Sequence, residues 1–492
     1  RRFEAGIDPP SRMRYRLLAR RPGARAARVI ASWALLLFAA PASPQENGQR
    51  YVVTFGDRRP SARERASACS KRTLALAGVP QGEANVTRLF DSAVQGFAAT
   101  LSPTAIGFFQ TAGARVEADR SVSLFETRTA ASPTARDDAA ATRGRQGRRQ
   151  RRFEGQGGSG ALTGSGGATR REEDGRSAAL LSTPTASAAA AAAAAGSPVA
   201  TASVSIPWGL DRLDQPGYPL DNAFRATDGA GDVHIFVVDT GVNADHVEFA
   251  GRVGEGRDFV NDDDGPEDCY GHGTHVAGLA VGASFGVARA ATLHALKVFG
   301  CSGEAAYSDV IAAVDWAIAH EARLKVLTMS LGGPASWAVD AAVANAVERG
   351  IPVIVAAGND AGDACFTSPA REPAAVTVGM TDTDSLRTRD LAHPLTNSGA
   401  CVDVFAPGAQ VESASWETAT GSAVRTGTSM ACPYVAGIAA QHLSALAAAA
   451  SAADAQPSAD AVARAILATA VPGVIEATTS SPANNVPNLL AQ

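Results

Sequence analysis

"VHIFVVDTG", residues 233–241, is a nearly unbroken apolar run that closes on Asp239 and a Thr-Gly turn. A strand with one wet face alternates apolar and polar residues; a continuous run marks a strand covered on both faces. The same texture recurs in "TLHALKVF" (292–299), "KVLTMSLG" (325–332) and "IPVIVAAG" (351–358). Between these runs, "YSDVIAAVDWAIAHEAR" and "SWAVDAAVANAVERG" space their apolar residues as helices do. Strand and helix in alternation predict an α/β fold over residues 204–492, three-layered and doubly wound on a mainly parallel sheet. Such sheets gather their chemistry beyond the C-terminal ends of the strands, which is where Asp239 falls.

The rest of the 492-residue chain divides by composition, and the net charge of -5 averages over that division. Read from Met13, "RMRYRLLARRPGARAAR" precedes the apolar "VIASWALLLFAA" and the small residues "APAS", the layout of a signal peptide. Residues 1–44 are therefore expected to direct secretion, with no stable membrane association once the signal is removed. Residues 51–126 read as a small α+β unit, with strands at "YVVTF" and "AVQGFAATLS" and a helix at "RRPSARERASACSKRTLALAG". Residues 127–203 hold "RGRQGRRQRR", a Gly/Ser tract and an alanine run. They cannot bury enough apolar surface to offset ordering, and read as a disordered linker. No aromatic residues interleave the arginines as a stacking nucleic-acid site requires, so no nucleic-acid partner is expected.

Two further segments point at the edge where Asp239 lies. "DCYGHGTHVAGLAVG" brings His272, between two glycines, to a helix start, with His275 packed in the helix. A zinc reading fails because the histidines stand three apart with no glutamate between them. "GTSMACPYVAG" (427–437) begins a helix at Ser429, whose hydroxyl suits a cap and whose main-chain N–H is free to meet an oxyanion. Ser429 is expected to serve both as cap and as nucleophile. Asp-Thr-Gly also suggests an aspartic protease, but that chemistry needs a second carboxylate and the chain has no second such motif. The acidic "NDDDGPED" (261–268) fails the EF-hand pattern and reads as a solvated loop.

Asp239, His272 and Ser429 occur in the order Asp, His, Ser, and on that order the chain resembles the subtilisin-like serine proteases. It is most similar to the proteinase K branch and its aqualysin-like bacterial members, through "PWGLDRLDQ", "SLGG", "AAGND", "SPA" and "CVDVFAPG". The resemblance implies a secreted, monomeric serine endopeptidase acting on proteins and peptides. Ser429 is the nucleophile, His272 the base, Asp239 its orienter, and Asn359 joins the Ser429 N–H in the oxyanion hole. Ser330, Leu331 and Gly332 with Ala356, Ala357 and Gly358 are implied to line a roomy, uncharged pocket suited to apolar or aromatic residues. The segment from Gly303 to Tyr307 is implied to pair with substrate as an added strand.

By the same resemblance, Cys269 bridges Cys301 and Cys365 bridges Cys401, leaving Cys69 and Cys432 over. A structural Ca2+ takes the Pro373 and Ala375 carbonyls with the Asp403 carboxylate. Residues 51–126 resemble the family's inhibitory propeptide, an intramolecular partner of the cleft. The chain departs from the family in having Cys432 and Tyr434 where threonine and histidine are usual, and in its long linker. The first cut is placed near Glu126, near 148–152, or just before "PWGL". The contrasting readings are a catalytically inactive subtilisin-fold binding protein and an arginine-rich tether with a passenger domain.

Overall fold

The computed structural model describes residues 49–55, 83–125, 206–225, 229–263, 265–450, 456–476 and 488–492. The expected signal peptide, the helix at 58–78, Cys69 and the linker 127–203 lie outside the described residues.

The described residues up to 125 build one four-stranded antiparallel sheet. Its strands are β1 (Arg50–Thr54), β2 (Ala84–Phe90), β3 (Gly96–Leu101) and β4 (Arg115–Ala118), in the order β2-β3-β1-β4. Helix α1 (Pro103–Thr111) crosses between β3 and β4. Ser102 caps it and Pro103 sits in its first turn, where a missing N–H costs nothing. Phe97 and Phe109 meet edge to face at a centroid distance of 5.2 Å and centre a small core of their own. Strand β5 (Ser121–Leu124) then leaves this sheet.

After residue 205 the order is α2 (Trp208–Arg212), β6 (Val233–Asp239), β7 (Arg257–Asp258), α3 (His272–Val281), β8 (Thr292–Lys297), β9 (Ala305–Ala306) and α4 (Tyr307–Ala319). There follow β10 (Leu324–Met329), β11 (Leu331–Pro334), α5 (Trp337–Glu348), β12 (Val353–Ala356), β13 (Thr367–Ser368), β14 (Val376–Thr383), β15 (Asp390–Ala392) and β16 (Val404–Pro407). A hairpin, β17 (Val411–Ala414) and β18 (Ser422–Arg425), leads into α6 (Thr428–Ala449) and α7 (Ala459–Thr469). Three two-residue strands close the chain: β19 (Val471–Pro472), β20 (Ile475–Glu476) and β21 (Leu489–Leu490).

The large sheet runs β21-β16-β14-β12-β10-β6-β8-β7, parallel at each of those pairings, with β15 and β19 antiparallel at its margin. Along β6, Val233, Ile235 and Val237 enter the core on the α3/α6 side, while Phe236 and Val238 enter the core on the α4/α5 side. That two-sided burial is why the run lacks polar alternation. The chain goes from β6 outward to β8 and later returns to β10 on the other flank of β6. The sheet therefore reverses winding at the C-terminal end of β6, at Asp239.

The two sheets share reciprocal caps. Asp315 on α4 accepts the main-chain N–H groups of Asp91, Ser92 and Ala93. In return Glu117 accepts Trp337 N at 3.2 Å and Ala338 N at 3.1 Å at the start of α5, and Asp119 accepts Ser308 N at 3.0 Å at the start of α4. Glu117 and Asp119 meet amides that a helix start leaves unbonded, and Asp315 meets those of the turn between β2 and β3.

Candidate active site

Asp239 ends β6 fully buried, and both its oxygens face His272 Nδ1, at 2.8 and 2.9 Å. Since Nδ1 donates to that carboxylate, the lone pair of His272 sits on Nε2, which is buried and meets no partner among the described residues. His272 starts α3 behind Gly271, whose φ of 98° and contact with the Trp416 ring leave no room for a side chain.

Asp268 holds this corner. One oxygen accepts Thr240 Oγ1 (2.8 Å) and Gly271 N (2.7 Å); the other accepts Thr274 N (2.9 Å) and Thr274 Oγ1 (2.6 Å). This corrects the reading of 261–268 as a solvated loop, because its last residue is a buried hub. Lys297, beside Asp239 on β8, donates to Thr240 O at 2.6 Å, and burial lowers its pKa.

Ser429 lies in the first turn of α6, whose N-cap is Gly427 without a side-chain cap bond. The expected capping role is thus corrected: Ser429 Oγ donates instead to Ser330 O at 3.1 Å. Ser330 Oγ in turn donates to Ser429 O at 2.9 Å. That carbonyl is available because Pro433, four residues on, has no N–H to offer it. Cys432 is buried between Thr328 Oγ1 (3.3 Å) and Ile354 O (3.4 Å), and burial pushes its thiol up to about 11. Tyr434 is buried against Gly209, and its hydroxyl finds no partner among the described residues. His275 is a packed core histidine with Nε2 at 3.1 Å from Val411 O and 3.0 Å from Ala423 O.

Asn359 follows β12. Its Oδ1 accepts Thr428 N at 3.0 Å, which fixes the amide so that Nδ2 faces outward, and Nδ2 donates to Phe125 O at 2.5 Å. The Ser429 N–H reaches the same carbonyl at 3.3 Å. Strand β5 runs in just before Phe125, antiparallel to β11 on one side (Leu331 opposite Leu124, Gly332 opposite Ser123) and to β9 on the other. The Phe125 ring is 7% exposed and lies against Gly332 and Gly358. Ser330, Leu331, Ala356 and Ala357 are all buried around that corner.

Within the implied strand-pairing segment, Ala305 and Ala306 make the ladder and Tyr307 N donates to Arg120 O at 3.0 Å. Gly303 does not join it; with φ 77° it turns back onto Gly300. The disulfides pair Cys269 with Cys301 and Cys365 with Cys401.

Residues 230–489, more than half of the chain, match the Subtilase family (peptidase S8). The chain belongs to that family. This subtilase is 47% identical over 236 residues to an extracellular serine proteinase of Thermus sp. (strain Rt41A), covering 48% of this chain and 56% of that relative. It is 49% identical over 237 residues to alkaline serine exoprotease A of Vibrio alginolyticus, covering 48% of this chain and 43% of that one. The subtilase chain thus spans about half the length of the curated relatives it matches. Among solved structures, a cold adapted subtilisin-like serine proteinase superposes with a TM-score of 0.52 at 40% identity, over 57% of this chain and 96% of that one.

Sequence reasoning missed Asp268, Ser330 as the partner of Ser429, and a trio formed by Asp211, Asp214 and Asp221. Within the trio, one carboxylate oxygen from each lies within 4.8 Å of the others. Arg225 meets Asp221 at 2.6 Å and Asp214 at 3.5 Å. The signal for Asp268 was its place four residues before the helix that His272 begins.

Proposed function

We propose that this subtilase is a secreted serine endopeptidase made as a self-inhibited precursor, whose own residues 121–125 lie in the substrate groove. The observation that carries this reading is the Phe125 carbonyl, which takes Asn359 Nδ2 and the Ser429 N–H together. A substrate carbonyl has to stand where two donors meet the charge that develops on it.

In this reading Ser429 Oγ turns from Ser330 O, gives its proton to His272 Nε2 and bonds to the substrate carbonyl carbon. The carbonyl π pair moves to oxygen and is held by Asn359 and the Ser429 N–H. Asp239 keeps the imidazole in the right tautomer and stabilises the imidazolium. As the C–N bond breaks, His272 returns the proton to the leaving amine. Water, deprotonated by His272, then attacks the acyl carbon, and His272 returns that proton to Ser429 Oγ as the C–O bond breaks. In this reading Val122-Ser123-Leu124-Phe125 precede the bond to be cut, and the first self-cleavage falls between residues 125 and 126. A ring between Gly332 and Gly358 supports preference for aromatic or large apolar residues before the cut.

The chain is further proposed to act as a monomer on protein and peptide substrates and to bind structural Ca2+. The Asp403 carboxyl is raised by burial, and the Thr377 N–H at 2.8 Å is what opposes that rise. A hard divalent cation shared with the Pro373 and Ala375 carbonyls fits such a group and would supply the missing positive charge. Secretion is supported by the Thermus relative's description as extracellular; among the described residues, no helix is long and apolar enough to cross a membrane.

The test is casein hydrolysis by the full chain beside Ser429→Ala. The variant is expected to be inactive and to remain uncut at residue 125. Hydrolysis that persists in Ser429→Ala overturns the reading. A melting temperature unchanged in excess chelator would count against calcium.

A further inference from the structure

We propose that Asn397 is a positioning residue for the oxyanion hole: it sets the loop that aims Asn359, without touching the reacting atoms. The inference rests on the serine-protease reading above.

Asn397 is 2% exposed and lies 38 positions beyond Asn359 in the sequence. Its Oδ1 accepts Asp360 N at 3.0 Å and Gly362 N at 2.9 Å. Its Nδ2 donates to Ala357 O at 3.0 Å, and its main-chain N–H donates to Gly358 O at 2.8 Å. Four main-chain groups, two on each side of Asn359, are thus tied to one residue. Asn359 itself is left free to spend its Oδ1 on Thr428 N and its Nδ2 on the carbonyl in the groove.

The loop needs such a template because it has no regular ladder. Gly358 has φ 106° and Ala361 φ 52°, both in the left-handed region, so the segment 357–362 cannot continue β12 as strand. Asn397 packs directly against the Gly358 Cα, where a side chain would collide with its amide. Neighbouring bonds extend the template: Ala361 N to Leu395 O at 3.0 Å and Ser398 N to Gly362 O at 2.9 Å. Only a side chain that both accepts and donates satisfies the three groups its amide meets. Aspartate keeps the shape and the two accepted bonds. It also faces Ala357 O with a second acceptor and adds negative charge beside the site where an oxyanion forms.

The experiment measures kcat and KM on a peptide with Phe before the cut, per active site titrated with a fluorophosphonate. It compares wild type, Asn397→Asp, Asn397→Ala, Asn359→Ala and the Asn359→Ala/Asn397→Ala double variant. Misplacing a catalytic group by about 1 Å costs on the order of a hundredfold. Asn397→Asp is therefore expected to lower kcat about 10- to 100-fold, with KM within about threefold. Once Asn359 is gone there is nothing left to aim, so adding Asn397→Ala, which brings no charge, to Asn359→Ala should cost less than about threefold more. Asn397→Ala serves if the aspartate variant does not fold. An unchanged kcat per site in the variants, even with lowered melting temperature, overturns the inference, as does a double variant whose losses simply multiply. Hydrolysis by Ser429→Ala instead overturns the serine reading on which it rests, so the two failures are told apart.

Discussion

Replacing Phe125 by alanine tests the precursor reading at its narrowest point. The ring is 7% exposed and fills the space between Gly332 and Gly358. Burying a phenylalanine side chain contributes up to about 3 kcal/mol, and the ring is almost wholly out of water. If about 2–3 kcal/mol of that holds the 125–126 bond against Ser429, its loss slows self-cleavage about 30- to 150-fold. The assay refolds the full chain by dilution from denaturant and follows, by mass spectrometry, the fragment ending at Phe125. The rate constant should be independent of protein concentration, since strand and groove belong to one molecule. Phe125→Tyr should stay within about threefold of wild type, because it keeps the ring and the lining is uncharged. Equal rates for Phe125→Ala and wild type would refute the reasoning, as would a first cut at 148–152.

Three other outcomes follow from the structure. Tyr434→Phe should raise stability by about 1 kcal/mol, read as a higher melting temperature, since it removes a buried hydroxyl without a partner among the described residues; an unchanged or lower value counts against it. Cys432, with its thiol near 11, should resist iodoacetamide at pH 8 in the native protein and react only after unfolding; rapid native labelling would contradict its placement. His294 is buried against Phe236, and burial lowers its pKa from 6.5 to about 4. The unfolded chain therefore binds the proton more readily, so its contribution is complete above pH 6.5 and is lost as pH falls toward 4, by up to about 3 kcal/mol. His294→Phe should flatten the melting temperature against pH in that window, and an identical slope would rule the histidine out.

The layered fold was legible because burial on both faces leaves its mark within each strand: β6, β8, β10 and β12 appear where the apolar runs stand. Asp239, His272 and Ser429 stood out for a different reason, each ending a strand or starting a helix, and the subtilisin-like resemblance tied them together and added Asn359. What stayed hidden depends on contacts between distant segments. Asn397 sits in "HPLTNSGA", which has no period, and its bonds exist only once the loop after β12 lies on it. Asp268 looked like one acid among several in a polar loop, and only the approach of Thr240 and Thr274 buries it. The resemblance carried over a segment from Gly303 to Tyr307, and the ladder begins two residues past its start because Gly303 is spent on a turn.

The reciprocal caps bear on when the enzyme would begin to work. If residues 49–125 depart after the cut, the starts of α4 and α5 lose the carboxylates of Asp119 and Glu117, and the turn at 91–93 loses Asp315. Each lost cap costs about 1 kcal/mol, so severing one peptide bond does not by itself drive the pieces apart. On the precursor reading, the severed fragment would stay in the groove. Onset of activity would then be timed by the fragment's destruction, and the first molecule to shed its own would hasten the release of all the others.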